Sequence, residues 1–181
     1  MQKKKLSDLP LEKCIYMSVG PHAGESFSEI MLRKEAEIKK CGWSLWAHGT
    51  KMLDKIGKIP KFWGQSEEIY VLFSPTGNPT TGQVKIAQEY SSDGINYTTI
   101  DPQMQVTYSS SKSSYALVVE EYIEIDEADN IFHKGDYCEF KTKDYTRGVY
   151  FLEREENPGR KHDYRIPYVA KLRAPYNVKI K

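Results

Sequence analysis

The chain has 181 residues and a formal net charge of +1, with 39% hydrophobic and 28% charged side chains. A chain of this length suits one domain that buries roughly 70% of its extended surface without staples. No run approaches the ~20 apolar residues of a membrane span, and the near-neutral balance argues neither for nor against nucleic acid.

The amino terminus, MQKKKLSDLP, has a basic start with no apolar run behind it, so no signal peptide is expected. Residues 14–20, CIYMSVG, are an apolar run of β-formers and are expected to form a buried strand. The turn-rich PHAG follows, then SFSEIMLRKEAEIKKCG. Here Ser26 and Glu29 have capping-box spacing, Phe27, Ile30, Met31 and Ile38 fall near one helical face, and Gly42 suits the stop. A helix is expected, and its amino terminus places free backbone N–H groups beside residues 18–24, where a polar or anionic ligand could be received. In WSLWA, Trp43 and Trp46 are three positions apart, which puts them on opposite faces of a strand. TKMLDKIGKI reads as a short helix, EEIYVLFSP as a second buried strand, and QVKIAQEYS as its hairpin partner across TGNPTTG. Residues 93–114 are polar and loop-rich. YALVVEEYIEID is a strong strand, GDYCEF a weaker one, and YRIPYVAKLRAPY two proline-interrupted extended stretches. One early helix, a short second one and five or six strands point to a single α+β domain over residues 1–181 with a curved or closed sheet.

Charge is unevenly spread. Residues 115–139 hold eight acids against one lysine, whereas residues 141–181 hold eleven bases against five acids. The basic third, with Lys3, Lys4 and Lys5, could face phosphates. Lys141, Lys143, Arg147, Arg160, Lys161 and Arg165 are the candidates, and ordinary surface charge is the equal alternative.

Signs of catalysis are missing. His22, His48, His133 and His162 stand singly, and no GxSxG, GxxxxGK[ST] or GxGxxG motif is present. Cys14, Cys41 and Cys138 have neither CxxC spacing nor a nearby histidine, which suggests reduced thiols in a cytoplasmic protein and no metal site. No enzyme activity and no cofactor are expected. The informative feature is the supply of rings, thirteen tyrosines, three tryptophans and six phenylalanines. Several tyrosines (Tyr90, Tyr97, Tyr108, Tyr145) sit in polar surroundings where a ring can stack on a base.

WSLWA, then TKMLD, then IYVLFSPTGNPTTGQVKIAQEY resembles the YTH domain over residues 43–90. There a tryptophan after a small polar and an aliphatic residue is followed by an aliphatic-tyrosine-aliphatic-leucine-phenylalanine-serine strand and a glycine-bearing turn, similar here to Gly77, Gly82 and Ala87. The resemblance implies a PUA-like fold related to EVE and ASCH domains, a curved β-barrel with flanking helices. It also implies a module that captures a flipped, methylated base, with N6-methyladenine the first choice, in RNA or in DNA as relatives in prokaryotic restriction systems do. Such a module serves as the recognition domain of a larger protein, with nucleic acid and further domains of the same protein as partners and no membrane. Carried over, Trp46 is the first wall of an aromatic cage, with Ala47 beside it, and Trp43 packs inside. Ser18 matches a serine of the family's first loop, where His22 also lies, and Met17 replaces the usual lysine. Lys143 and Asp144 in TKDYTR resemble a late Arg-Asp segment. The family's second cage tryptophan has no counterpart, because no tryptophan follows Trp63, and Tyr108 or Tyr97 would stand in. The alternatives are an ASCH-like enzyme acting on a nucleoside or RNA, and a protein-interaction module using the acids of residues 120–129.

Overall fold

The first strand, β1 (Lys13–Val19), alternates strictly: Ile15, Met17 and Val19 enter one core and Cys14 and Tyr16 another. β3 (Tyr70–Pro75) does the same, with Val71 and Phe73 on the first side and Tyr70 and Leu72 on the second. Both faces are therefore covered, which is why both segments read as continuous apolar runs in sequence. The two strands pair in parallel, Ile15 opposite Val71 through Val19 opposite Pro75. At their ends Gly20 lies so close to the Asn78 carbonyl that any side chain at position 20 would collide with backbone. These features come from a computed structural model that describes residues 3–48, 68–79, 83–109, 114–126, 140–146, 149–154 and 165–181, with backbone only for residues 140–146 and 149.

The parallel connection needs a crossover, and α1 (Phe27–Cys41) supplies it. Both halves of the expected capping box form: the Glu29 N–H donates to Ser26 Oγ at 3.2 Å and the Ser26 N–H to Glu29 Oε2 at 2.8 Å. At the other end Gly42 adopts φ 80° and donates its N–H to the Ile38 carbonyl at 2.8 Å, reversing the chain as only glycine does without strain. Phe27, Ile30, Met31 and Ile38 pack onto the first core, as their spacing predicts.

After α1 come β2 (Ser44–His48), then past β3 the short strands β4 (Lys85–Ile86), β5 (Glu89–Ser91), β6 (Thr98–Thr99) and β7 (Thr107–Tyr108), the long β8 (Ser114–Glu124), then β9 (Phe140–Thr146), β10 (Val149–Arg154) and β11 (Tyr168–Ile180). The main sheet runs β2-β8-β11-β3-β1-β10-β9, with β5 and β6 joined to the carboxyl end of β11, while β4 and β7 form a separate pair. The fold is thus mixed α/β, a large open sheet with one α-helix among the described residues. Two expectations change. The partner of the EEIYVLFSP strand is not the segment after TGNPTTG, because β3 lies between β1 and β11, and β4 pairs with β7 instead. The final stretch is one long strand rather than two pieces. TKMLDKIGKI and nearly all of GDYCEF lie outside the described residues.

Two irregularities shape the middle of the sheet. Between the pairs Lys171–Glu121 and Leu172–Val119, Glu120 is left over as a β-bulge. Side-chain parity flips there: Leu117 and Val119 precede it on the α1 side, and Tyr122 follows it on the same side. Next to it, β11 leaves the ladder, since Leu172 pairs with Val119 and Asn177 with Leu117, so residues 173–176 form an excursion opposite one residue of β8. The sheet curls strongly. Trp46 of β2 and Phe73 of β3 are three strand steps apart, about 14 Å on a flat sheet, yet their rings stack with centroids 4.3 Å apart. No helix among the described residues is long and apolar enough to cross a membrane.

Candidate functional site

The two tryptophans do face opposite sides, and Trp46, not Trp43, is the more deeply buried of the two. Trp46, expected to face a base, is buried at 7% exposure on the α1 side, stacked on Phe73 and 6.2 Å from the Tyr122 ring. Parity fixes only that the rings diverge. The side covered by α1 is the side that Trp46 shares with Ser44 and His48. Trp43, expected inside, emerges from the Gly42 turn half-buried at the margin of the other core.

Around Trp43 the structure gathers rings and a cation. The Tyr90 ring meets its indole edge-on at 5.4 Å, and the Arg173 guanidinium carbon lies 5.1 Å above its centroid. Ala47 and Tyr108, both expected at a base site, pack with Trp43 and Tyr90 against the same cluster of Leu45, Met104, Val106 and Val178. Tyr97 belongs to the other side of β5: the Lys181 ammonium sits 3.8 Å above its ring and pairs with Glu89 at 3.7 Å, whereas the adjacent Tyr90 points to Trp43. Three neighbouring strands become irregular at this place: β2 begins there, β8 bulges at Glu120, and β11 makes its excursion. Bulges of this kind commonly re-aim side chains beside functional sites.

Beneath this surface a buried polar tie holds α1 to the segment before β7. Glu37 accepts from the Ser44 hydroxyl at 2.7 Å, the Gln105 N–H at 2.7 Å and Arg33 at 3.2 Å. Lys34, buried beside it, pairs with Glu37 at 3.1 Å and donates to the Leu45 and Gln105 carbonyls at 2.6 and 3.1 Å. Burial lowers the Lys34 ammonium from 10.5 to about 8, against the pull of Glu37. Every donor of this lysine is engaged by protein, so the group holds structure rather than offering a reactive amine. Sequence reading passed over it because Arg33, Lys34 and Glu37 look like the solvated stripe of any helix.

The remaining expected residues are scattered. Ser18 is exposed, faces the Tyr16 side of β1 with its hydroxyl 3.4 Å from the Tyr16 hydroxyl, and has β3, β11 and β8 between its strand and β2. It cannot share a pocket with Trp46 on the other face. His22 lies in a tight turn with φ 51° at Ala23 and 81° at Gly24. Burial, then Arg33, lowers its pKa, and its ring interacts with the backbone of Thr107, the neighbour of Tyr108. Asp144, Lys141 and Lys143 belong to β9, at the far end of the sheet from β2. Arg147, Arg160 and Lys161 lie outside the described residues. A pocket of about 370 Å³ opens at the start of α1, lined by Lys3, Ser26, Phe27, Glu124, Arg165 and Tyr168 among others. Lys3 pairs with Glu124 there, at 3.5 Å. The α1 helix, about 22 Å long at 1.5 Å per residue, separates it from Trp43. The structure therefore brings Trp43, Ala47, Tyr90, Tyr108 and Arg173 onto one face and leaves Ser18, Trp46 and Asp144 apart. Among known proteins, no family model, no curated protein and no solved structure matches the chain.

Proposed function

We propose that this chain is a nucleic-acid-binding module of YTH/EVE-like type on a PUA-like scaffold, and that it stacks one unpaired base on Trp43 rather than on Trp46. The carrying observation is the half-buried indole of Trp43 with a cation above it and Tyr90 at its edge. Aromatic faces stack on bases for roughly 1–3 kcal/mol each, and basic side chains nearby hold the strand without reading it. Arg173 supplies positive charge on this face, and the curled sheet suits a scaffold of that family. N6-methyladenine is the modification suggested by the resemblance over residues 43–90. Burying its methyl against Trp43 and Tyr90 adds about 0.8 kcal/mol, roughly fourfold in affinity.

The test is a panel of short single-stranded RNA and DNA oligonucleotides, each with or without one N6-methyladenine, titrated by fluorescence anisotropy at several salt concentrations. Trp43→Ala is expected to weaken binding by about 1–3 kcal/mol while the protein stays folded. Undiminished binding by a folded Trp43→Ala variant would sink the reading. So would the absence of binding by the intact chain at low salt, where phosphate contacts are strongest.

A further inference from the structure

An aromatic cage needs a second wall, and the sequence offers no tryptophan for it beyond Trp63. We infer that the wall facing Trp43 is the guanidinium of Arg173, so that the slot accepts an electrically neutral base and rejects one that methylation has made cationic. This inference rests on the reading of Trp43 as the base platform.

Arg173 is exposed and begins the excursion at residues 173–176, where β11 leaves its ladder with β8. The excursion ends at Tyr176, whose φ of 68° is rare for a bulky residue and is held by packing of its ring on the α1-side core. The far end is thus anchored while Arg173 is not tied by ladder hydrogen bonds. No ion pair joins Arg173 to a carboxylate among the described residues, and its cation sits on Trp43. A base between two stacked layers needs about 7 Å, twice the optimal carbon separation. The present 5.1 Å between guanidinium carbon and ring centroid means that Arg173 covers the platform and must lift for a base to enter.

The charge of this wall decides what enters. Two aromatic walls attract a cation through their negative faces. A guanidinium plane stacks on a neutral base but repels a cationic one. Two unit charges about 4 Å apart, even with the screening of water, weaken binding by about fivefold. N6-methyladenine is neutral, whereas N1-methyladenine carries a positive charge near neutral pH, and each bears one methyl on the same ring system. The two bases also differ in methyl position and hydrogen-bonding edge, so the charge effect of Arg173 is read from the change in their ratio when Arg173 is neutralised.

The experiment uses the full chain and three oligonucleotides identical except for one central adenine, N6-methyladenine or N1-methyladenine. The intact protein is expected to bind the N6-methyl form at least about fivefold more tightly than the N1-methyl form. Arg173→Gln is expected to abolish or invert that ratio, because Trp43 alone attracts the cation. A ratio unchanged in Arg173→Gln overturns the inference. An equal loss for all three oligonucleotides with a shallower salt dependence also overturns it and makes Arg173 a phosphate contact. If binding depends on Trp43 yet shows no charge preference, the inference fails and the platform reading stands. If Trp43→Ala binds all three as the intact chain does, both fail.

Discussion

At the scale of single residues, the two tryptophans make opposite predictions. Trp46 is enclosed by Phe73, Tyr122 and the apolar face of α1. Trp46→Ala should lower unfolding free energy by about 3–5 kcal/mol in urea denaturation, the usual loss for a large buried aromatic. Trp43→Ala removes a half-buried ring and should cost under about 2 kcal/mol by the same measurement. Equal losses in the two variants would contradict the placement of these rings. Tyr122 offers a finer test. Its hydroxyl is buried without a hydrogen bond among the described residues, beside the Ser44 hydroxyl that donates to Glu37, and burial pushes the phenol far above its ordinary range. An unpartnered buried hydroxyl is a cost, so Tyr122→Phe should leave stability unchanged or raise it by up to about 1 kcal/mol. A clear loss would show that Tyr122 and Ser44 are bonded.

At the scale of elements, α1 is both legible and misleading. Its start, stop and apolar face follow from Ser26, Glu29, Gly42 and the spacing of Phe27, Ile30, Met31 and Ile38, all local rules. Gly42→Ala should cost about 1–2 kcal/mol, because a side chain is forced into the left-handed region. The polar side of α1 follows no local rule. Lys34 and Glu37 are buried because the segment around Gln105, 71 and 68 positions away, folds back over them. Removing Lys34 leaves a buried carboxylate short of a partner and two carbonyls short of a donor, so Lys34→Met should destabilise by about 3 kcal/mol or more. Its pH dependence has a definite sign. The folded ammonium titrates near 8 and the unfolded one near 10.5. Between those values the unfolded chain holds more protons, so the contribution of Lys34 to stability rises as pH climbs through the window. The gap in unfolding free energy between the intact chain and Lys34→Met should widen from pH 8 to pH 10.5, and a constant gap would refute the shift.

At the scale of the whole molecule, stability should be graded from centre to margin. β1, β3 and the first half of β11 have apolar cover on both faces, with Ile15, Val71, Leu72 and Ala170 wholly buried. The pairs β4–β7 and β5–β6 are two residues long, and Val84, Ile86 and Ile95 around them are exposed. Hydrogen exchange followed by mass spectrometry should find the amides of residues 70–73 protected until global unfolding, while residues 84–86 and 95–99 exchange through local opening. Early exchange in β3 would contradict this architecture. The same gradient puts the candidate binding face, built on the start of β2, β5 and the excursion of β11, between the rigid centre and the looser margin.

The sequence by itself determined the elements whose signals are local: the capped helix, the buried strands at β1, β3 and β8, and the divergence of Trp43 and Trp46. It could not say which of the two rings would be covered, because period-2 alternation distinguishes faces without naming the one that α1 occupies. It paired the β4 segment with β3 because a hairpin is the nearest solution, whereas a parallel β1–β3 pair flanked by β11 depends on partners 56 positions apart in the first pairing and 95 to 101 apart in the second. Only the tertiary structure showed that the Glu120 bulge, the excursion at residues 173–176 and the Gly42 turn meet at one place. Each is a departure from regular pairing, and a departure becomes visible only when the partner strand is known.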